Sequence, residues 1–261
     1  CGGGGGLAPA LLLRRGRAGI LLGLYSMTLP HTPPPAKGKP FRVADALGLD
    51  ALRMLKDRNF AVFCVCSFLL CIPLAAYYAF GADYVGRIGF DKEKVPVTMS
   101  YGQMSEIGFM LVMPLLFGRL GVKWMLVVGM LAWVIRYGLF GAAWGEAGTD
   151  NAKWLVLGGI LLHGICYDFF FVTGQIYVDK RCSPEIRGQA QGLLVLLTQG
   201  LGMLVGNQVF PRLVTYFTGP TTGEGPGPVD WKMVWFIPAG FAALIMVVFV
   251  ALFRPARPSV D

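Results

Sequence analysis

The sequence predicts an all-α polytopic membrane protein, and two observations carry that prediction. Of the 261 residues, 55% are hydrophobic and only 15% are charged, and the mean hydropathy is +0.58, which excludes an ordinary soluble globular domain. Six apolar runs are each long enough to cross the hydrocarbon core of a bilayer as a helix. The predicted spans are Phe60 to Phe80, Val97 to Phe117, Val122 to Ala142, Trp154 to Val178, Gly188 to Phe210 and Met233 to Phe253.

Residues 1–29 are interpreted as the truncated end of a transmembrane helix with a non-native start. The chain begins with a cysteine and a run of glycines, and three arginines interrupt the apolar run that follows. Only about Ala18 to Leu29 is then left to lie in the membrane, which is shorter than a full span. A signal peptide is the competing interpretation, but it should begin with Met and end in a small-residue cleavage site.

Residues 30–58 are predicted to form a cytoplasmic linker. Clustered prolines exclude a helix at the start of this segment. The apolar spacing of Val43 to Leu55, beside basic residues, then predicts an amphipathic helix that lies at the membrane interface.

The loops between the spans predict the orientation of residues 59–253, the six-helix transmembrane bundle. If the linker is cytoplasmic, the loops on its side carry most of the Lys and Arg residues. The positive-inside rule therefore places the linker and the tail, residues 254–261, in the cytoplasm. The net charge of +8 reflects this orientation, because basic residues in short loops build no face for nucleic acid.

Four ionisable residues within the predicted spans are the main functional signal: Glu106, Arg136, His163 and Asp168. A charged group in the membrane is costly and is usually functional. At a rise of 1.5 Å per residue, the four form a band from the outer third to the middle of the bundle. Alternatives remain for three of them: Glu106 could pair structurally with Arg136, Arg136 could extend outward to the interface, and His163 could be a hydrogen-bonded core residue.

Polar and aromatic neighbours extend this band. Gln103 shares a helix face with Glu106, and could alternatively bond a neighbouring helix. Gln175 shares a face with Asp168, and Tyr167 lies on the adjacent stripe. Amide, carboxylate and aromatic groups that converge in one cavity suit a polar heterocyclic ligand.

Glycines in the fifth span predict close helix packing. Gly188 with Gly192, and Gly202 with Gly206, each form a face of two small residues four apart. Such faces let two helix backbones approach closely. The contacts they make can slide or rock, as a transporter requires.

Several stretches resemble the bacterial nucleoside:proton symporter family of the major facilitator superfamily. The resemblance covers about Leu21 to Phe253, and its most specific parts are the QMSE sequence of Gln103 to Glu106 and the HGICYDF sequence of His163 to Phe169. Residues 117–123 and 184–192 are similar to the superfamily's loop motif and to the start of its eleventh helix.

The resemblance implies the C-terminal six-helix half of a twelve-helix major facilitator fold, preceded by the end of the sixth helix. It implies proton-coupled nucleoside import by alternating access across the bacterial cytoplasmic (inner) membrane. The proton gradient would replace any cofactor, and an N-terminal six-helix half would be required as a partner, because six helices supply only one wall of the cleft. It also implies nucleoside contacts from Gln103 and Glu106, and substrate binding or proton coupling by Asp168.

Together, the residues and the resemblance give two overlapping sets of candidates. The substrate-binding set is Gln103, Glu106, Tyr167, Asp168 and Gln175, and the proton-coupling set is Glu106, Asp168, Arg136 and His163. No metal site is predicted, since the six cysteines lie mostly in apolar runs and lack a metal-binding spacing.

Two alternatives remain open at this point. Tyr77 and Tyr78 lead into Ala79 and Phe80, where the family carries amides, so the carrier could take another solute such as a sugar or drug. An intramembrane enzyme is the second alternative, and it is disfavoured because no nucleophile and base are paired in the sequence.

Overall fold

The computed structural model describes residues 7–30, 48–220 and 227–254. The chain divides into two units, Cys1–Pro40 and Phe41–Asp261. In the first unit, helix α1 covers Leu7–Ser26 and includes the three arginines that interrupt its apolar run. Arginine is a good helix former, so it interrupts hydrophobicity without breaking the helix.

The second unit is built from helices α2 to α7, and within the described residues five of them are long and apolar enough to cross a membrane. Predicted linker residues 31–47 and tail residues 255–261 lie outside the described part. The described end of the predicted interfacial helix forms the short α2. The bounds are α2 Leu49–Arg53, α3 Arg58–Ile88, α4 Val95–Trp144, α5 Asp150–Arg181, α6 Arg187–Tyr216 and α7 Trp231–Leu252.

Helix α4 contains two of the predicted spans. At Gly121 the backbone leaves the helical conformation, with φ 68° and ψ 175°, in the left-handed half of φ space that glycine adopts readily. Residues 95–120 form the first arm and residues 122–144 the second. Glu106 and Arg136, one from each arm, both contact His163, so the arms run antiparallel. The five helices thus supply the six predicted crossings, and the all-α fold is confirmed.

Helices α3 and α6 meet through small residues. A Cβ atom added at Gly202 would lie 2.7 Å from the Cβ atom of Cys71, and one added at Gly206 would lie 2.5 Å from that of Ala75. One of the two predicted glycine faces therefore lets these backbones approach closely. Gly188 and Gly192 have no neighbour within 4 Å of such a Cβ among the described residues.

An aromatic cluster joins α3, the second arm of α4 and α7 near one end of the bundle. The rings of Tyr84 and Trp235 are 5.2 Å apart, and those of Phe140 and Trp235 are 5.1 Å apart. The Tyr84 hydroxyl donates a hydrogen bond to the Phe140 carbonyl. The polar atom of this buried tyrosine therefore has a partner, as buried hydroxyls generally do.

The opposite ends of α3, α5 and α6 are joined by ion pairs. Asp57 caps α3 by accepting a hydrogen bond of 2.8 Å from the Phe60 N–H, and it also lies 3.0 Å from Arg181 at the end of α5. The Phe60 N–H and the Arg181 guanidinium hold the pKa of Asp57 below its ordinary value. Arg187 of α6 pairs with Asp179 of α5 at 2.7 Å.

Candidate functional site

The candidate site begins where the first arm of α4 crosses α5. A Cβ atom added at Gly164 would lie 2.7 Å from the Ser105 carbonyl carbon and 2.8 Å from the Glu106 nitrogen. The Gly164 N–H donates a 3.1 Å hydrogen bond to the Ser105 hydroxyl, which itself donates to the Gly102 carbonyl. Only glycine fits at position 164, because it has no side chain. The missing side chain lets the backbones of the two helices come into contact.

Three side chains from three helical segments form what we call the polar network: Glu106, His163 and Arg136. His163 Nε2 lies 2.9 Å from Glu106 Oε1, and His163 Nδ1 lies 2.8 Å from Arg136 Nη1. Arg136 is 2% exposed and His163 4% exposed, while the Glu106 side chain is 23% exposed. Glu106 is therefore the accessible end of a network that is otherwise enclosed.

Aromatic rings surround the cationic end of the polar network. The guanidinium carbon of Arg136 lies 3.5 Å from the centroid of the Tyr77 ring, a favourable cation–π position. The Tyr77 ring also stacks on the His163 ring at 5.7 Å. Tyr77 thus holds both side chains in place.

Asp168 lies one helical turn further along α5. It belongs to a π-helical stretch, Tyr167–Val172, a distortion that is common at functional sites. Asp168 is 0% exposed, and neither carboxylate oxygen has a hydrogen-bond partner within the described part of the chain. An unpaired buried carboxylate is costly when it is ionised, which makes Asp168 a candidate for reversible protonation.

The structure brings together only some of the residues predicted from sequence. Tyr167 is half-buried, with its ring 6.1 Å from that of His163, so it belongs to the site. Gln103 and Gln175 are both exposed, and the Gln175 carbonyl accepts a 2.8 Å hydrogen bond from the side chain of Gln191. Within the described part of the chain, neither of these exposed amide groups forms a hydrogen bond with Glu106, His163 or Arg136.

The structure supports neither alternative left open for Arg136. It does not approach Glu106 directly, because the His163 ring lies between them and bonds both. It does not extend outward either, since its guanidinium is buried against Tyr77. Sequence reasoning also missed Tyr77 and Ser105 as site residues, because a tyrosine or serine within a span usually only packs or bonds its own helix.

The fold and the site together define a class of protein. A polytopic helical bundle with buried ionisable residues at the crossing of its helices is typical of a secondary transporter. The family model described as "Nucleoside H+ symporter" matches residues 9–258. The chain therefore belongs to the nucleoside H⁺ symporter family and is a multi-pass membrane protein.

Individual relatives agree with this assignment. The chain is 40% identical over 247 residues to the putative nucleoside transporter YegT of Escherichia coli K12, covering 94% of this chain and 56% of YegT. It is 32% identical to the nucleoside permease NupG of the same organism, covering 90% of this chain and 56% of NupG. These relatives are transporters and not enzymes.

A solved structure supports the same fold. A crystal structure of a mutant of the nucleoside transporter NupG superposes with a TM-score of 0.73 at 30% identity, over 90% of this chain and 58% of that protein. The chain thus spans a little over half the length of the relatives that it matches.

Proposed function

We propose that the chain forms the C-terminal six-helix half of a proton-coupled nucleoside importer of the bacterial inner membrane, with its linker and C-terminus in the cytoplasm. Family membership supports the substrate class, and the excess of basic residues in the linker-side loops supports the orientation. Alternating access needs two halves around one cleft. An N-terminal six-helix half therefore completes the carrier, and the proton gradient supplies the energy without a cofactor.

The single observation that carries this proposal is the presence of two carboxylates within the helical bundle. Asp168 is fully buried without a hydrogen-bond partner among the described residues, and Glu106 lies at the accessible end of the polar network. Protonation of these groups removes charge from the membrane interior. The neutral, loaded site then lowers the cost of rocking the two halves around it, which couples the proton flux to the nucleoside flux.

The predicted substrate-binding set holds the nucleoside in this proposal. Glu106 accepts hydrogen bonds from ribose hydroxyls or base N–H groups, and Tyr167 offers an aromatic face for stacking. Asp168, which is 0% exposed here, reaches the nucleoside only when the helices move. Gln103 and Gln175 are exposed amides that can pair with base edges across the cleft. Arg136 and His163 act behind this surface as partners of Glu106.

The test uses the complete carrier in proteoliposomes, with labelled uridine and an imposed pH gradient. Glu106→Gln and Asp168→Asn should each reduce proton-driven uptake by about 10- to 100-fold, the effect of losing a hydrogen bond to a charged group. Exchange of labelled for unlabelled uridine without a gradient should be reduced less. Glu93→Gln, at an exposed loop carboxylate, is the matched control and should behave like the unmodified carrier.

Two results would overturn the proposal. If both variants keep full proton-driven uptake, the carboxylates do not couple transport. If unlabelled sugars or drugs compete with uridine better than other nucleosides do, the scaffold carries another solute, since fold does not fix the ligand.

A further inference from the structure

We propose that His163 is a positioning residue and not a proton carrier: Arg136 fixes its imidazole as the neutral form with hydrogen on Nε2, and that N–H holds Glu106 in place. This inference rests on the proposed function, since it assigns the roles within the coupling site. It divides the predicted proton-coupling set into two kinds of group. The carboxylates exchange protons, and the basic residues orient the carboxylates.

The hydrogen-bond chemistry of arginine decides the form of the imidazole. A guanidinium group only donates hydrogen bonds and keeps its charge in proteins. Because Arg136 Nη1 lies 2.8 Å from His163 Nδ1, Nδ1 must be the acceptor and carries no hydrogen. The single hydrogen of the neutral ring is then on Nε2, which donates to Glu106 Oε1 at 2.9 Å.

The arrangement disfavours a second proton on the His163 imidazole. That proton would have to displace Arg136 from Nδ1 and would put two cations side by side in a buried site, which is costly. Arg136 cannot retreat easily, because it is 2% exposed and lies on the Tyr77 ring. The next residue, Tyr137, donates a 2.9 Å hydrogen bond to the Pro73 carbonyl and so ties this segment of α4 to α3.

The titratable groups that contact the imidazole within the described part of the chain fit this assignment. The second arm of α4 contributes Arg136, the first arm contributes Glu106, α3 contributes Tyr77, and α5 itself contributes Tyr167. Glu106 is the anion among these four, and it already receives the Nε2 hydrogen. Asp168, on the same helix as His163, has no hydrogen-bond partner among the described residues.

The proposed arrangement also specifies where a proton enters Glu106. Oε1 stays bonded to the Nε2–H of His163, so the incoming proton binds the other oxygen, Oε2. The imidazole bond persists after protonation, because the Oε1 atom of a carboxylic acid still accepts. Glu106 is thereby kept in one orientation through the whole cycle.

Substitution with glutamine separates the two roles. The amide of His163→Gln offers one oxygen to accept from Arg136 and one NH₂ to donate to Glu106, but it cannot take up a proton in this pH range. In the complete carrier, this variant should keep proton-driven uridine uptake within about threefold of the unmodified protein, with the same pH profile. His31→Gln, the same change at the chain's other histidine, is the control.

His163→Phe keeps a ring between Arg136 and Glu106 but removes both hydrogen bonds. Without the Nε2–H donor, the ionised form of the Glu106 carboxylate is stabilised less. We expect proton-driven uptake to fall by about tenfold or more, and its pH profile to move toward alkaline pH. A variant that only disturbs packing would lower uptake without moving the profile.

The outcome that overturns this inference is loss of proton-driven accumulation in His163→Gln with uridine exchange intact, because an imidazole proton would then be required. A spectroscopic measurement tests it even if the carrier moves no uridine. In ¹⁵N-histidine NMR of the complete carrier, the signal lost in His163→Gln should show the Nε2–H form unchanged between about pH 5 and 8. A signal that titrates in that range refutes the assignment, whereas failure of uridine transport alone refutes only the proposed function.

Discussion

The molecule holds arginine against carboxylate in two very different settings. At the ends of the helices, Arg181 pairs with Asp57 and Arg187 with Asp179, and all four side chains are at least one-third exposed. In the polar network, Arg136 reaches Glu106 only through His163, and both basic side chains are buried.

The difference teaches where charge is structural and where it is functional. Exposed ion pairs contribute about 0 to 1 kcal/mol each, because water already solvates both partners. Buried charges lose that solvation, and removal of one partner leaves the other uncompensated. The end pairs therefore connect helices at low cost, whereas the polar network is costly to bury, as is typical of residues with a functional role in a membrane protein.

The largest expected effect comes from removing the buried cation. Arg136→Met should lower the free energy of unfolding by about 3–5 kcal/mol, the cost of breaking a buried charged network. Thermal unfolding of the complete carrier in detergent measures it. Arg87→Met is the matched control: this exposed arginine pairs with Asp83 at 2.6 Å and should cost about 1 kcal/mol or less. If Arg136→Met and Arg87→Met lowered the free energy of unfolding equally, the distinction between buried and exposed arginines would be refuted.

An intermediate effect is expected at the helix crossing. Gly164→Ala puts a Cβ atom 2.7 Å from Ser105 and 2.8 Å from Glu106 backbone atoms, and such overpacking costs about 1–3 kcal/mol. The same change should impair uridine uptake, because the first arm must shift away from His163. Gly158→Ala on the same helix meets only ordinary contact, at 3.7 Å from Leu139. If that control were as damaging as Gly164→Ala, close crossing would not explain the site.

The smallest effect is expected at the exposed end. Asp57→Ala removes the cap of α3 and should cost about 1 kcal/mol of stability at neutral pH. Because the pKa of Asp57 is lowered in the folded protein, its contribution is complete above about pH 4 and is lost as the pH falls through the lowered pKa. The free energies of unfolding of Asp57→Ala and of the unmodified protein should therefore become equal at acid pH. Asp179→Ala, which removes an ion pair but no helix cap, is the control. If the stability difference between Asp57→Ala and the unmodified protein grew at acid pH, the assigned role of Asp57 as a cap would be wrong.

Much of the fold was predictable because helix spans follow from local composition. Runs such as Val97 to Phe117 are recognisable by length and hydropathy alone. The exact helix boundaries could not be predicted in this way. Helix α3 continues to Ile88, beyond the predicted Phe80, since a helix can extend past its apolar part into the polar interface. The position of the turn between the two arms follows the predicted span ends, and the structure adds that a positive φ at Gly121 reverses the chain without an extended loop.

The sequence predicted which residues form the candidate site, but not which of them contact one another. Glu106, Arg136, His163 and Asp168 were identified because ionisable residues are rare in spans. That His163 separates Glu106 from Arg136 depends on how closely α4 and α5 cross at Gly164. The π-helical stretch that carries Asp168 also depends on packing against neighbouring helices, and no local sequence signal specifies it.

The sequence by itself determined which segments enter the membrane and which of them carry charge, because both depend only on the residues within one segment. The tertiary structure alone decided that a histidine separates acid from base and that Tyr77 supports the cation. Those relations depend on the depth and rotation of separate helices, which no single segment encodes.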